Sequence, residues 1–192
     1  MAISWTSINN QALAKLGATE ITSIDDDTTG NAIKCRAIYE NVRDSLLRTY
    51  IWNCAIERAE LALLSSTPEF GYSYQYTLPA APYCLRVLEM DGDYEFKVEG
   101  RKLLTDQDSC KIRYIKRVTN PTHLDSLFVK VMVCELASQL AVSITQSKTL
   151  KEKLDVELKA ALLEAKMADA MEGLEDDEQD EAEDDLWVEA GR

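Results

Sequence analysis

The chain has 192 residues, 46% of them hydrophobic, and a formal net charge of −13. That length suits one domain with additions, and the apolar fraction can bury a core over most of it. The charge excludes general nucleic-acid binding, which needs Lys and Arg to displace counterions, and a single histidine, His123, excludes multi-histidine metal sites and leaves little for acid–base catalysis.

The charge is unevenly spread. Residues 169–192 hold 12 acids and one base, so the remainder is a nearly neutral body and the end is an acidic tail. No uninterrupted apolar run reaches the roughly 18–20 residues of a membrane span, so no membrane is expected. The start, MAISWTSINN, lacks the charged and apolar regions of a signal peptide. Five cysteines, Cys35, Cys54, Cys84, Cys110 and Cys134, are widely and irregularly spaced. They read as buried thiols in a reducing compartment rather than as a zinc site or disulfide frame.

The spacing of apolar residues predicts a first helix over 4–16, with Trp5, Ile8, Ala12 and Leu16 on one face and Gly17 ending it. A polar loop carrying Asp25, Asp26 and Asp27 follows. A second helix is expected over 31–49. Its stripe is Ala32, Cys35, Ile38, Val42 and Leu46, widened by Ile33, Ala37 and Leu47, with Asp44–Arg48 as an i,i+4 ion pair. From 52 to 118 the period shortens to two. Tyr72, Tyr74 and Tyr76 alternate, as do Tyr94, Phe96 and Val98, and then Ile112 and Tyr114. Asp91-Gly92 and Glu99-Gly100 mark tight hairpin turns between these runs. The stretch reads as a small antiparallel sheet, with 53–64 open between strand and helix.

Pro121-Thr122 is expected to open a third helix, with Thr122 as N-cap and Asp125 three residues on. This helix runs to about Gln146 and is apolar around much of its girth. Thr149 with Glu152 reads as a capping box for a fourth helix. Its inner stripe is Leu150, Leu154, Leu158, Ala161, Leu162 and Ala165. Gly173 breaks it. Residues 175–185 hold nine acids among eleven, a self-repelling composition that disfavours a packed fold. Leu186-Trp187-Val188 follow, an apolar cluster on a charged leash that reads as a peptide anchor. The expected fold class is therefore α+β: about four helices (1–51 and 119–172), a β-rich insertion (52–118) and an extended acidic tail (173–192).

Candidate chemistry is sparse. Asp25-x-Asp27-x-Thr29-Gly30 begins like a calcium loop, but the twelfth position, which needs a bidentate Glu, is Arg36. The loop reads instead as a cap for the next helix. The three alternating tyrosines could stack bases or sugars, yet residues 69–79 hold no Lys or Arg. Residues 97–117 carry seven bases and three acids, which suits a solvated sheet edge or a dock for an acidic partner. His123 and Cys134, eleven residues apart on one helix, would sit about 16 Å apart along the axis, too far for a nucleophile–base pair. No phosphate loop, dinucleotide fingerprint, nucleophile elbow or zinc-protease motif occurs.

Several segments in order carry a resemblance. They are Ile8-Asn9-x-x-Leu13-x-x-Leu16-Gly17, residues 21–25, Arg43-Asp44-x-Leu46-Leu47-Arg48, Tyr50-Ile51-Trp52-Asn53-x-Ala55 and Arg58-Ala59-x-Leu61. Gly71-Tyr72-x-Tyr74-x-Tyr76-x-Leu78-Pro79, Leu85-Arg86-Val87, Tyr114-Ile115 and the Ala-rich third helix continue the series, and Trp187 and Arg192 fit its ending. Together they resemble the head-to-tail adaptor proteins of short-tailed and related bacteriophages, also called tail tubular protein A or head–tail connectors. Leu-Pro-x-Asp is frequent there where this chain has Leu78-Pro79-Ala80-Ala81, a departure confined to a turn.

The resemblance implies a ring of twelve copies below the portal protein, bridging it to the tail nozzle protein in the neck of the virion after assembly in the host cytoplasm. DNA would pass through without specific binding. It implies a helical bundle with an inserted β-domain, no catalytic residues and no cofactor. A ring element needs helices with two apolar faces, and the third helix has that breadth. Leu186, Trp187, Val188 and Arg192 are the expected portal contacts. The alternatives are an acidic regulatory protein that mimics DNA on a basic partner, a small hydrolase, or another ring component of the phage neck.

Overall fold

Each helix in the computed structural model begins where a side chain can satisfy the first backbone N–H groups. The structure describes residues 3–92 and 94–189, with side chains as far as Glu172. Ser4 and Ser7 cap reciprocally through each other's backbone N–H and open α1 (Trp5–Lys15). Gly17, at φ +64°, ends it, with the N–H groups of Gly17 and Ala18 donating to the carbonyls of Ala14 and Leu13. Thr29 Oγ1 accepts from the N–H of Ala32 at the start of α2 (Gly30–Thr49).

Two caps fall elsewhere than the sequence suggests. Thr122 lies in a separate 3-10 turn, Pro121–His123, capped by Asn120. α3 (Ser126–Thr145) starts at Asp125, whose carboxylate accepts from the N–H groups of Leu127 and Phe128. A carboxylate there gains from the helix dipole as well as the hydrogen bonds. At α4 (Lys148–Glu189) Ser147 Oγ accepts from the N–H of Leu150, two residues before the Thr149 box expected.

The β-rich segment forms two three-stranded antiparallel sheets rather than one. β1 (Ile56–Glu60), β2 (Tyr74–Thr77), β3 (Cys84–Met90), β4 (Lys97–Glu99), β5 (Lys102–Thr105) and β6 (Lys111–Lys116) pair in the orders β1-β6-β3 and β2-β5-β4. Residues 53–55 make a 3-10 turn, which resolves the ambiguous stretch in favour of a strand from Ile56. Gly100 at φ +59° joins β4 to β5 in a two-residue hairpin, as Glu99-Gly100 suggests. Asp91-Gly92 makes no hairpin: β3 and β4, on either side of it, belong to different sheets. The turn chemistry supplies the positive φ of Gly92 but does not choose the partner strand.

The chain is thus α+β, with four α-helices among the described residues. It divides into two compact units, Met1–Val42 with Asp125–Arg192, and Arg43–Leu124. In the first, α3 packs on α1 and α4. Phe128, Val131, Met132, Leu136, Ala137 and Leu140 of α3 are buried, together with Ile8, Leu13 and Leu154. In the second, Leu61, Tyr76, Leu78, Leu103, Ile112 and Tyr114 share one core between the two sheets.

One exclusion needs correcting. α3, with only Lys130 and Glu135 charged along its 20 residues and a mean hydropathy of 1.7 over its most apolar window, is long and apolar enough to cross a membrane. Its apolar side chains are covered by α1 and α4, which is the setting of a core helix. α4 runs on through Gly173 to Glu189, so the glycine does not end the helix as the sequence suggests; the side chains of the acidic stretch after residue 172 and of Leu186-Trp187-Val188 lie outside those described.

Candidate functional site

α4 is apolar on two opposite faces. Leu154, Ala161 and Ala165 are buried against the helical unit. At 3.6 residues per turn, Val156, Leu163, Met167 and Met171 fall on the reverse side. Their exposures run from 54% to 68%. Ala160, also exposed, lies on that stripe. A solvated helix ordinarily gives that face to charge. Along the stripe one flank instead carries Lys159 and Lys166, and the other Glu157 and Glu164.

Polar ties hold α4 in register, so the outward face is presented by a fixed helix. Lys130 pairs with Glu164 at 2.6 Å, and this hydrogen bond with its charge raises the Lys130 pKa. Lys15 pairs with Glu157. Ser138, buried on α3, donates to Asp155, which also accepts from Lys151 at 2.6 Å. Those two donors, Lys151 first, lower the Asp155 carboxyl.

The second apolar face was expected on α3. On α3 the whole girth is used inside the unit, with Val142 the one large apolar side chain left exposed. Ile33 and Ala37, expected to widen the α2 stripe, are exposed. Asp44 does not pair with Arg48. It holds Arg43 at 2.9 Å and Arg117 at 2.5 Å, because β6 brings a guanidinium from a distant segment.

The other candidates resolve into structure. Asp27 accepts from the N–H groups of Thr29 and Thr22, which lower its pKa to about 2. Arg36 donates to the carbonyls of Ile24 and Asp27, so the calcium-like loop is closed by a cation. No group of three potential metal ligands occurs among the described residues. Tyr76 is buried and donates to the carbonyl of Gln107, Tyr74 is half-buried and Tyr72 lies outside β2, so the three offer no stacking platform. His123 and Cys134 sit on different elements. Cys35, Cys84, Cys110 and Cys134 are buried, and desolvation raises each thiol, Cys35 and Cys110 to about 11.

The basic stretch is mostly compensated. Lys97 pairs with Glu99, Arg113 with Glu89, Lys116 with Glu57 and Arg117 with Asp44. Arg101 and Lys102 instead meet neutral acceptors, Arg101 the carbonyls of Cys84, Leu78 and Pro79 and Lys102 the Oε1 of Gln75. Sequence reasoning also missed Phe70, 88% exposed in the loop before β2. The only hint was the turn pair Thr67-Pro68 beside it.

Comparison with family models finds no match, and comparison with characterised proteins finds none.

Proposed function

We propose that this chain is a structural protein that packs side by side with copies of itself into a ring, and that the ring is the adaptor between the portal and the tail nozzle of a phage particle. The observation that carries this reading is the outward apolar face of α4. A helix whose reverse side already serves its own core has one use for a second apolar stripe, which is a neighbour. Full burial of each of those half-exposed side chains contributes about 1–2 kcal/mol. A closed ring uses every interface twice per copy, so modest contacts suffice.

Two copies of this stripe laid face to face make a closed two-fold pair in either direction, so a ring requires the stripe to meet a different surface of the next copy. Same-direction, head-to-tail contacts generate rings when the rotation closes. The resemblance noted in the sequence supplies the ring of twelve and the portal and nozzle partners. It also makes Leu186, Trp187, Val188 and Arg192 the anchor on the portal. A near-neutral body suits a conduit that passes DNA without gripping it.

Sedimentation of the chain with the portal protein of the same genome tests the reading. A portal-bound species carrying twelve copies is the expected result. A chain that stays monomeric or dimeric and apart from the portal would remove it.

A further inference from the structure

Four arginines from four segments of the unit 43–124 converge on one cleft of about 420 Å³. Arg48 comes from the end of α2, Arg86 from β3, Arg101 from the β4–β5 turn and Arg117 from just beyond β6. Tyr83 lines the same cleft, with the Arg101 and Arg117 guanidinium carbons 4.0 and 4.5 Å from its ring centroid.

The guanidinium groups are positioned largely by neutral acceptors. Arg101 donates to the carbonyls of Cys84, Pro79 and Leu78, Arg48 to that of Leu85, and Arg86 to that of Arg48. Arg117 pairs with Asp44, which it shares with Arg43, and its Nε is buried without a hydrogen-bond partner. Among the described residues one carboxylate therefore answers four convergent cations. Like charges gathered in a concave site repel, and their field attracts an anion. Guanidinium groups fixed in place match carboxylates in forked pairs.

Cys84–Val87 of β3 and Val98 of β4 line the cleft, and both strands are sheet edges with one side unpaired. The register shift between Cys84 and Arg86 is a bulge, a device that re-aims a side chain next to a site.

We propose that this cleft receives the acidic run of residues 175–185 from a neighbouring copy, its carboxylates on Arg48 and Arg86 first. That run has nine acids among eleven residues, and the chain extends to residue 192, beyond the described side chains. The unit 43–124 has 11 bases and 11 acids, whereas the rest of the chain has 10 bases and 23 acids. Copies that each carry −13 repel one another as they gather. Docking the acids of one copy on the arginines of the next offsets that repulsion and leaves Leu186–Val188 to the portal. The inference rests on the ring reading for its biological setting, not for its test.

The test uses the full chain with Arg86→Lys, which places a primary amine in the cleft. Carbodiimide joins amines to carboxylates, and mass spectrometry locates the joined residues. Mixing isotopically labelled with unlabelled chain separates links between copies from links within one. The expected result is a mixed-isotope link from position 86 to residues 175–185. It should be lost at about 1 M salt, where screening shortens to about 3 Å. Arg48→Lys provides a second amine and should give the same links. Links only within one copy, or none to 175–185 from either variant, would overturn the proposal. Because free chain is used, failure here with a twelve-copy portal species intact would leave the ring reading standing. Success without that species would separate the two the other way.

Discussion

Two aromatic side chains of one unit mark opposite uses of large apolar surface. Trp52 is 1% exposed and its indole N–H donates to the carbonyl of Leu46 at 2.9 Å, so it carries both packing and a buried hydrogen bond. Trp52→Ala is expected to cost about 3–5 kcal/mol in a urea unfolding experiment. Phe70, in an exposed loop, should be neutral for stability within about 0.5 kcal/mol when changed to Ser. Equal losses in the two variants would show that the loop is part of the core. The thiols make a second statement at this scale. Cys35 and Cys110 rise from 9.0 to about 11, and Tyr114 from 10.0 to about 12, because burial disfavours the ionised form. Their folded pKa values exceed the unfolded ones, so the stability they hold is fully present below pH 9 and is lost as pH rises through about 11. The urea midpoint should therefore fall between pH 9 and 11. A midpoint flat across that window would contradict the burial of these groups. Residue partners were the least legible part of the sequence. Asp44–Arg48 is a sound local pair, but Arg43 and Arg117 reach Asp44 instead, one from beside it and one through β6. Local spacing holds no information about a strand 70 residues away.

At the scale of elements, helices were legible because 3.6-residue periodicity is local. The stripe of α1 and the start and end of α2 follow from it, and the caps of α3 and α4 moved by only a few residues. Strand pairing was not legible. It depends on which run meets which, and nothing in the spacing of Tyr94, Phe96 and Val98 shows that β4 joins β5 and not β3. The spare apolar face was expected on α3 for a related reason. α3 is the more apolar helix, but α1 and α4 use its girth, and the surplus face is on α4. Two substitutions separate the faces of α4. Leu154→Ala, on the inner face, should destabilise the chain by about 2–5 kcal/mol. Leu163→Glu, on the outer face, should leave the unfolding midpoint unchanged or raise it slightly. A large loss from Leu163→Glu would mean that this face is already covered.

For the whole molecule, charge and assembly are one problem. A copy with −13 gathers with others only when apolar faces and arginines outweigh repulsion. Truncation after Ala170 is expected to weaken portal attachment while the helical and β units still fold. Unchanged attachment would remove the tail from the mechanism. The start of the strands was readable as a change of period, but the compact unit that holds them begins at Arg43, inside α2. The arginine cleft was not readable, because its four members are spread over residues 48–117 and meet only through the pairing of the sheets.

The most direct measurement is native mass spectrometry of the wild-type chain and of Leu163→Glu with Met167→Glu, each mixed with the portal protein. The wild type should add twelve copies to the portal, and the double variant should remain a folded monomer. A double variant that assembles like the wild type would contradict a ring built on the outer face of α4.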